Sequence, residues 1–434
     1  MTVSLQSDYL QYLLASWDIK PAESLSWLDR LRAEAIDRAG TQQLPTKKDE
    51  EWRFTDISPL ARLPFQAATP KCDLQVKDIE HLKLKEAENR LVFVDGHFAP
   101  QLSIITGSLS HIAGNLPAYL GSRDALLQSH LSKHVGIDSN VFAALNTAFL
   151  RDAAVIVFPK EFVLKQPVHL LFIATQSEVT SYPRSLIIGE PGSQATVIED
   201  YVSLQQSAAY ITNSVTEISL AEHARIQHIR VQRESNQAFH LANCAVSLGQ
   251  ASHFQSTAVT LGAQISRYNM DIHIMNKAAE CDISGLSMIS GRQLADTHTC
   301  IDHAQPHGIS QQQHKCIVDD AAHAVFNGKI IVRPHAQRTN SSQSSRNLLL
   351  SKSAQIDTKP QLEIFADDVK CAHGATVGQL DAEEIFYLQS RGLSETEARN
   401  LLTFAFGAEI INRIPVPSLK QQLEHVVLRQ TQSH

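Results

Sequence analysis

Between residues 152 and 370 the chain is a succession of short runs in which apolar and polar residues alternate, among them AAVIVFP, VHLLFIA, RSLIIGE, ATVIEDYVSL, VTEISL and ARIQHIRV. Alternation with period two and an excess of β-branched residues predict strands. No long helical pattern interrupts them. Small residues recur at similar points. Ala195, Ala224, Ser252, Cys281 and Gly308 are spaced by 29, 28, 29 and 27 residues, and Ala324 and Ala354 by 30. Such spacing over many strands predicts a solenoid, whose single coils cannot bury an apolar face alone. The expected fold class is mainly β: a right-handed parallel β-helix filled by Ile, Val, Leu and Phe, with small residues at tight corners. A large β-sandwich or barrel is the alternative, and the irregular spacing speaks against a barrel.

The flanks read differently, and the chain divides into 1–150, 151–378 and 379–434. The first region is mixed and partly helical. PAESLSWLDRLRAEAIDRAG runs from Pro21 to Gly40 with Leu25, Leu28, Leu31 and Ala35 on one face, the usual asymmetry of helix ends. PTKKDEEWRFTDISPL sets Trp52 and Phe54 in a dense charge run and reads as a solvated segment with an anchor. LVFVDGHFAP predicts a tight hairpin at Asp95-Gly96. The last region is helical. Asp381 with Glu384 opens one helix and Gly392 closes it. Ser394 and Glu397 form the S-x-x-E capping box of the next. Both carry an apolar face, which either packs on the end of the solenoid or docks a partner.

Composition narrows the function classes. Of 434 residues, 43% are hydrophobic and 19% charged, which suits a large globular core. The net charge of −7 gives no basic excess for nucleic acid or an anionic membrane. MTVSLQSDYLQYLLASWD lacks the basic patch and apolar stretch of a signal peptide, and no apolar run reaches membrane-spanning length. Six cysteines (72, 244, 281, 300, 316, 371) lie far apart, in no CxxC pair. Buried free thiols in a reducing cytosol are expected, and a cytoplasmic protein.

Common catalytic motifs are missing: the phosphate-cradling G-x-x-x-x-G-K-[ST], G-x-G-x-x-G after a strand, G-x-S-x-G and H-E-x-x-H. The richest polar stretch is DTHTCIDHAQPHGISQQQHKC. In a strand, His298, Cys300 and Asp302 share a face, and His303, His307, His314 and Cys316 come after them. Imidazole and thiolate suit zinc or iron, yet the spacing fits no closed tetrahedral site. A row of polar residues on the outer wall is the other reading. VKCAHGATVG places Cys371 and His373 on one face where strand pattern gives way to helix. Two ligands are too few for a stable metal site, so any others come from elsewhere in the chain or from another subunit.

The run RNLLLSKSAQIDTKPQLEIFADDVKCAHGATVGQLDAEEIFYLQSRGLSETEARNLLTFAF, Arg346 to Phe406, closely resembles the C-terminal half of the SufB/SufD family of iron–sulfur cluster assembly proteins. The stretch DTHTCIDHAQPHGISQQQHKCIVDDAAHAVFNGKIIVRPHAQRTNSSQ is also similar to that family, and PTKKDEEWRFTDI resembles the N-terminal signature of its SufD branch. SufB-type chains carry a glutamate after the histidine matching His373, and here that residue is Gly374.

The resemblance implies a β-helix between helical regions, acting as a non-enzymatic scaffold. It implies pairing with SufB, β-helix edge against β-helix edge, and a SufC ATPase held by the helices 381–391 and 395–411. Glu384, Ile385, Phe386, Tyr387, Arg391, Leu401 and Phe404 are the partner-binding candidates. Cys371 and His373 match the positions at the SufB–SufD interface. They are the candidate ligands of a transient iron–sulfur cluster, or iron, shared with SufB. Sulfur arrives indirectly from a cysteine desulfurase and its carrier. The family is also connected with iron acquisition and a reduced flavin. No stably bound cofactor is expected in the isolated chain, which is expected to form homodimers through the same edge. Two rival functions are a stand-alone β-helix enzyme of lyase or acyltransferase type, and an autonomous metal-binding protein using residues 298–316.

Overall fold

The computed structural model describes residues 2–16, 26–62, 65–205 and 207–432. Two sheets, of eleven and ten strands, face each other. The chain passes from one to the other and back: Gln194–Ser203 lies in the second sheet, Ile211–Leu220 in the first, Arg225–Arg233 in the second and Phe239–Leu248 in the first. Each strand pairs in parallel with the strand one turn later, as in Val215 opposite Asn243 and Ile229 opposite Thr257. The result is a β-solenoid of about eight turns between N- and C-terminal helices. Its first strands lie before residue 151, because Asn89–Val94 pairs in parallel with Val168–Ala174. The hairpin at Asp95-Gly96 forms, with both residues at positive φ.

The corners explain the small-residue repeat. Ahead of six successive second-sheet strands stands a residue in the left-handed region: Gly192, His223, Ala251, Ala278, His307 and Arg338. After each comes a buried small residue: Ser193, Ala224, Ser252, Ala279, Gly308 and Thr339. Their carbonyls accept the amide of the next turn, as Ala224 does from His253 at 2.8 Å. Three of the positions read from the sequence, Ala224, Ser252 and Gly308, belong to this column. Ala195 and Cys281 do not. They lie two residues beyond the corner, facing inward, and pair with Ile226 and Phe254. Ala324 lies in the other sheet, and Ala354 stands just before that sheet's last strand. The spacing hid the slip because both sheets repeat at nearly the same interval.

The N-terminal helix after the first begins at Trp27, with Ser26 as cap accepting from the Asp29 amide, and ends at Thr41. Leu28 and Ala35 are buried in it. Pro21 and Leu25 lie outside the described residues. The charged segment after this helix is docked rather than solvated. The Glu51 carbonyl accepts from Arg267 (2.8 Å), the Trp52 ring lies under that guanidinium at 4.4 Å, and Lys359 reaches Glu50 at 2.5 Å.

At the other terminus the N-caps form as expected, but Glu384 completes no capping box with Asp381. Asp381 accepts from the Glu383 amide, and Ser394 and Glu397 form the reciprocal box. Their place differs from an end cap. Helices Glu395–Ile411 and Pro417–Gln432 pack Ile410, Ile411, Leu419, Leu423 and Val427 on the outward face of the second sheet, against Ile198, Val231, Val259 and Ile317. That wall is apolar, and the two helices cover it. Lys315, 2% exposed, fixes the contact by donating to the Phe406 carbonyl and to Glu409. Helix Ala382–Ser390 has no buried residue. Among the described residues no helix is long and apolar enough to cross a membrane.

Candidate functional site at the open end of the solenoid

Because the helices lie along its side, the solenoid ends open. Gln355–Ile364 closes the first sheet and Lys370–Gly378 the second, and each pairs on one side only. Cys371 and His373 stand on this last rung and point inward, above Ser341 and Gln343. Cys371 is half-buried beside Ile330, Val332 and Ala366, and burial raises its thiol pKa. His373 is exposed. Around them the end shows apolar surface to solvent: Ile364, Phe365 and Val377.

Beneath each of the two residues a chain of side-chain hydrogen bonds runs down the lumen. Under Cys371, Ser341 and Ser310 share a bond of 2.6 Å and Ser310 reaches His303 Nε2 at 2.9 Å. Under His373, Gln343 donates to Gln312 (3.1 Å), which donates to the Thr299 hydroxyl (2.7 Å). Burial lowers the His303 pKa to about 4 and that of His314 to about 3, so both rings are neutral at pH 7. Glycines make the room: a Cβ at Gly308 would lie 2.6 Å from His303 Nδ1, and one at Gly285 2.2 Å from His314 Nδ1.

The stretch 298–316 is therefore split by the sheet. His298, Cys300 and Asp302 do share the outer face. His303, His314 and Cys316 are buried inside, and His307 turns a corner. The outer-wall reading holds for three of the seven. His298 has both nitrogens engaged, Nδ1 with Glu51 and Nε2 with Asp296, each at 2.9 Å. Burial opposes its charge, but the two carboxylates prevail and raise its pKa. Burial, with Asp271 nearby, pushes the Cys300 thiol up to about 12. Arg333 clamps Asp302 with two bonds of 2.9 and 2.8 Å. Among the described residues no three His, Cys, Asp or Glu side chains gather to hold a metal. The autonomous metal site is not formed. A groove of about 1020 Å³ does lie over the first sheet between Trp52, His134 and Lys329. Two of its cations are held in pairs, Arg267 with Asp296 and Lys329 with Glu363.

Two family descriptions cover nearly the whole chain. The SufBD core domain of the SUF system for FeS cluster assembly matches residues 172–406, and the SufBD N-terminal region matches residues 3–170. The chain belongs to the SufBD family. A SufBD family iron–sulfur cluster assembly protein of Synechocystis is 42% identical over 91% of this chain and 89% of its own length. The iron–sulfur cluster assembly protein SufD of Escherichia coli is 34% identical over 88% of each chain. The SufD protein of Bacillus subtilis is 25% identical over 99% of each. As a SufBD chain it is an iron–sulfur cluster assembly protein, of a family that serves as a scaffold.

On this SufBD chain the partner candidates lie on two helices. Phe386 and Tyr387 are 72% and 57% exposed, and Leu401 is 46% exposed. Glu384 and Arg391 are exposed, with Arg391 over the Tyr387 ring. Ile385 is half-buried, and half-buried Phe404 packs against the second-sheet core. The inward polar residues Ser310, Gln312, Ser341 and Gln343 escaped sequence reasoning. Their signal is present in ISQQQHKC and NSSQSSRN, where polar residues occupy both faces of a strand.

Proposed function

We propose that this chain is one half of a scaffold for iron–sulfur cluster assembly, joined to SufB through the open end of its solenoid. The observation that carries the reading is the last rung. Strand Lys370–Gly378 is an unpaired edge of nine residues that bears an exposed imidazole and a half-buried thiol. An uncovered edge is a template for another strand. The two ligands become part of a site when a partner supplies the rest. Imidazole and thiolate suit iron and iron–sulfur species. The nascent cluster is cargo, held at the seam and passed on. Exposed Phe386, Tyr387 and Leu401 form an apolar patch that fits a SufC ATPase. Helix Ala382–Ser390 comes three residues after the edge strand, so a rigid-body movement of that ATPase reaches the seam directly. In this reading the chain is cytoplasmic and non-enzymatic. It receives sulfur through SufB from a desulfurase and carrier, meets reduced flavin only in the complex, and pairs with itself when SufB is missing.

The test is His373→Ala in cells that depend on this pathway, co-expressed with SufB and SufC. Cluster production is expected to fall at least tenfold while the three chains still co-purify. Full cluster production with a normal complex overturns the assigned role.

A further inference from the structure

The hydrogen-bond chain beneath His373 has a direction. Gln343 and Gln312 both donate their Nε2 groups down the lumen, toward Thr299. That leaves Gln343 Oε1 turned away from Gln312, with no hydrogen-bond partner. Gln343 is 3% exposed, and a buried acceptor left unused is unfavourable. The residue on the next rung is His373. Side chains of laterally paired residues stand about 4.8 Å apart on one face of a sheet, and no strand lies beyond His373 to hold its ring. The position of the amide is built in. A Cβ at Gly328 would fall 1.5 Å from Gln343 Nε2, so only glycine lets the carboxamide lie across the lumen.

We propose that Gln343 is the positioning residue of His373. Its Oε1 accepts the ring N–H of His373, which fixes the tautomer and the ring plane. The other ring nitrogen then carries its lone pair toward the seam. A histidine that ligates metal through one nitrogen is commonly held in this way through the other. The inference rests on His373 being a ligand, but its test does not pass through cluster assembly.

The experiment is nuclear magnetic resonance of the full chain with ¹⁵N-labelled histidine, the His373 signals being those missing from His373→Gln. In the unsubstituted protein the ring populates one tautomer in large excess. Gln343→Leu and Gln343→Ser shift it toward a mixture of the two. Gly328→Ala, which displaces the amide without altering it, moves the signals in the same direction. Gln343→Glu keeps an acceptor and restores the single tautomer. Circular dichroism confirms that each variant is folded, and the truncation to serine carries the test if leucine does not fit. Unchanged His373 shifts in the leucine, serine and alanine variants overturn the proposal. So does a mixture of tautomers in Gln343→Glu. A wild-type ring that accepts from residue 343, and so shows the opposite tautomer to the glutamate variant, overturns it as well. Loss of cluster production in His373→Ala, with the His373 signals unmoved in the Gln343 variants, would retain the ligand role and reject Gln343.

Discussion

Asp296→Asn tests how the N-terminal segment is tied to the solenoid. Asp296 is 2% exposed, accepts from Arg267 at 2.5 Å and from the Thr55 hydroxyl, and forms an ion pair with His298 Nε2 at 2.9 Å. Burial works to raise its pKa, but Arg267 and His298 outweigh burial and hold it at about 2. Against about 3.9 in an unfolded chain, the difference is worth about 2–3 kcal/mol at neutral pH. The folded pKa is the lower one, so this stabilisation is complete above about pH 4 and disappears as the pH falls toward 2. The asparagine also leaves Arg267, 4% exposed, facing His298 without its carboxylate. Breaking a buried pair from one side costs about 3–5 kcal/mol, so a loss of about 3 kcal/mol is expected in urea unfolding. Thr55, the Glu51 carbonyl and Trp52 all hang on the Arg267–Asp296 pair. The loss is therefore directed at residues 46–56, and trypsin should cut at Lys47, Lys48 and Arg53 well before it attacks the solenoid. The wild type should lose stability in a step between pH 4 and 2 that the variant lacks. A variant within about 0.5 kcal/mol of wild type, with equal protease resistance at those three sites, refutes the reasoning.

Two further outcomes are expected. Cys300, with its thiol at about 12, should react with iodoacetamide at pH 8 on the order of 10³-fold more slowly in the folded protein than after unfolding, as measured by mass spectrometry; equal rates would contradict its burial beside Asp271. Phe386→Asp with Tyr387→Asp, on a helix with no buried residue, should leave the unfolding midpoint unchanged yet weaken SufC capture by more than about 2 kcal/mol, as removal of central aromatic anchors does; undiminished capture would place the ATPase elsewhere.

What was legible in the chain was local or periodic. The caps at Asp381 and Ser394 depend on a hydroxyl or carboxylate reaching an amide two or three residues on, and sequence shows that directly. The strand alternation and the spacing of small residues revealed the solenoid for the same reason. Period two, however, does not say which face is inside. The stretch 298–316 shows this: His298 and His303 differ by an odd number of positions and end on opposite sides of one wall. The corner slip at Ala195 and Cys281 arose because a two-residue shift preserves facing. The packing of the last helices was decided by an apolar outer wall spread over many strands, among them Ile198, Val231 and Ile317, and no single segment displays it. Cys371 and His373 were placed correctly at the end of the strand pattern. The side chains beneath them were not visible, because Gln343 and Gln312 come together only through register.

The open end has one more consequence. Every rung of the solenoid repeats the hydrogen-bond spacing of the rung before it, so the backbone of Lys370–Gly378 accepts any strand of suitable length. Choice of partner must then be written in side chains, in the imidazole, the thiol and the apolar groups at Phe365 and Val377. If the edge pairs as proposed, a copy made in excess of its partner stays adhesive, and matched synthesis of the two chains becomes a requirement of solubility before it is one of chemistry.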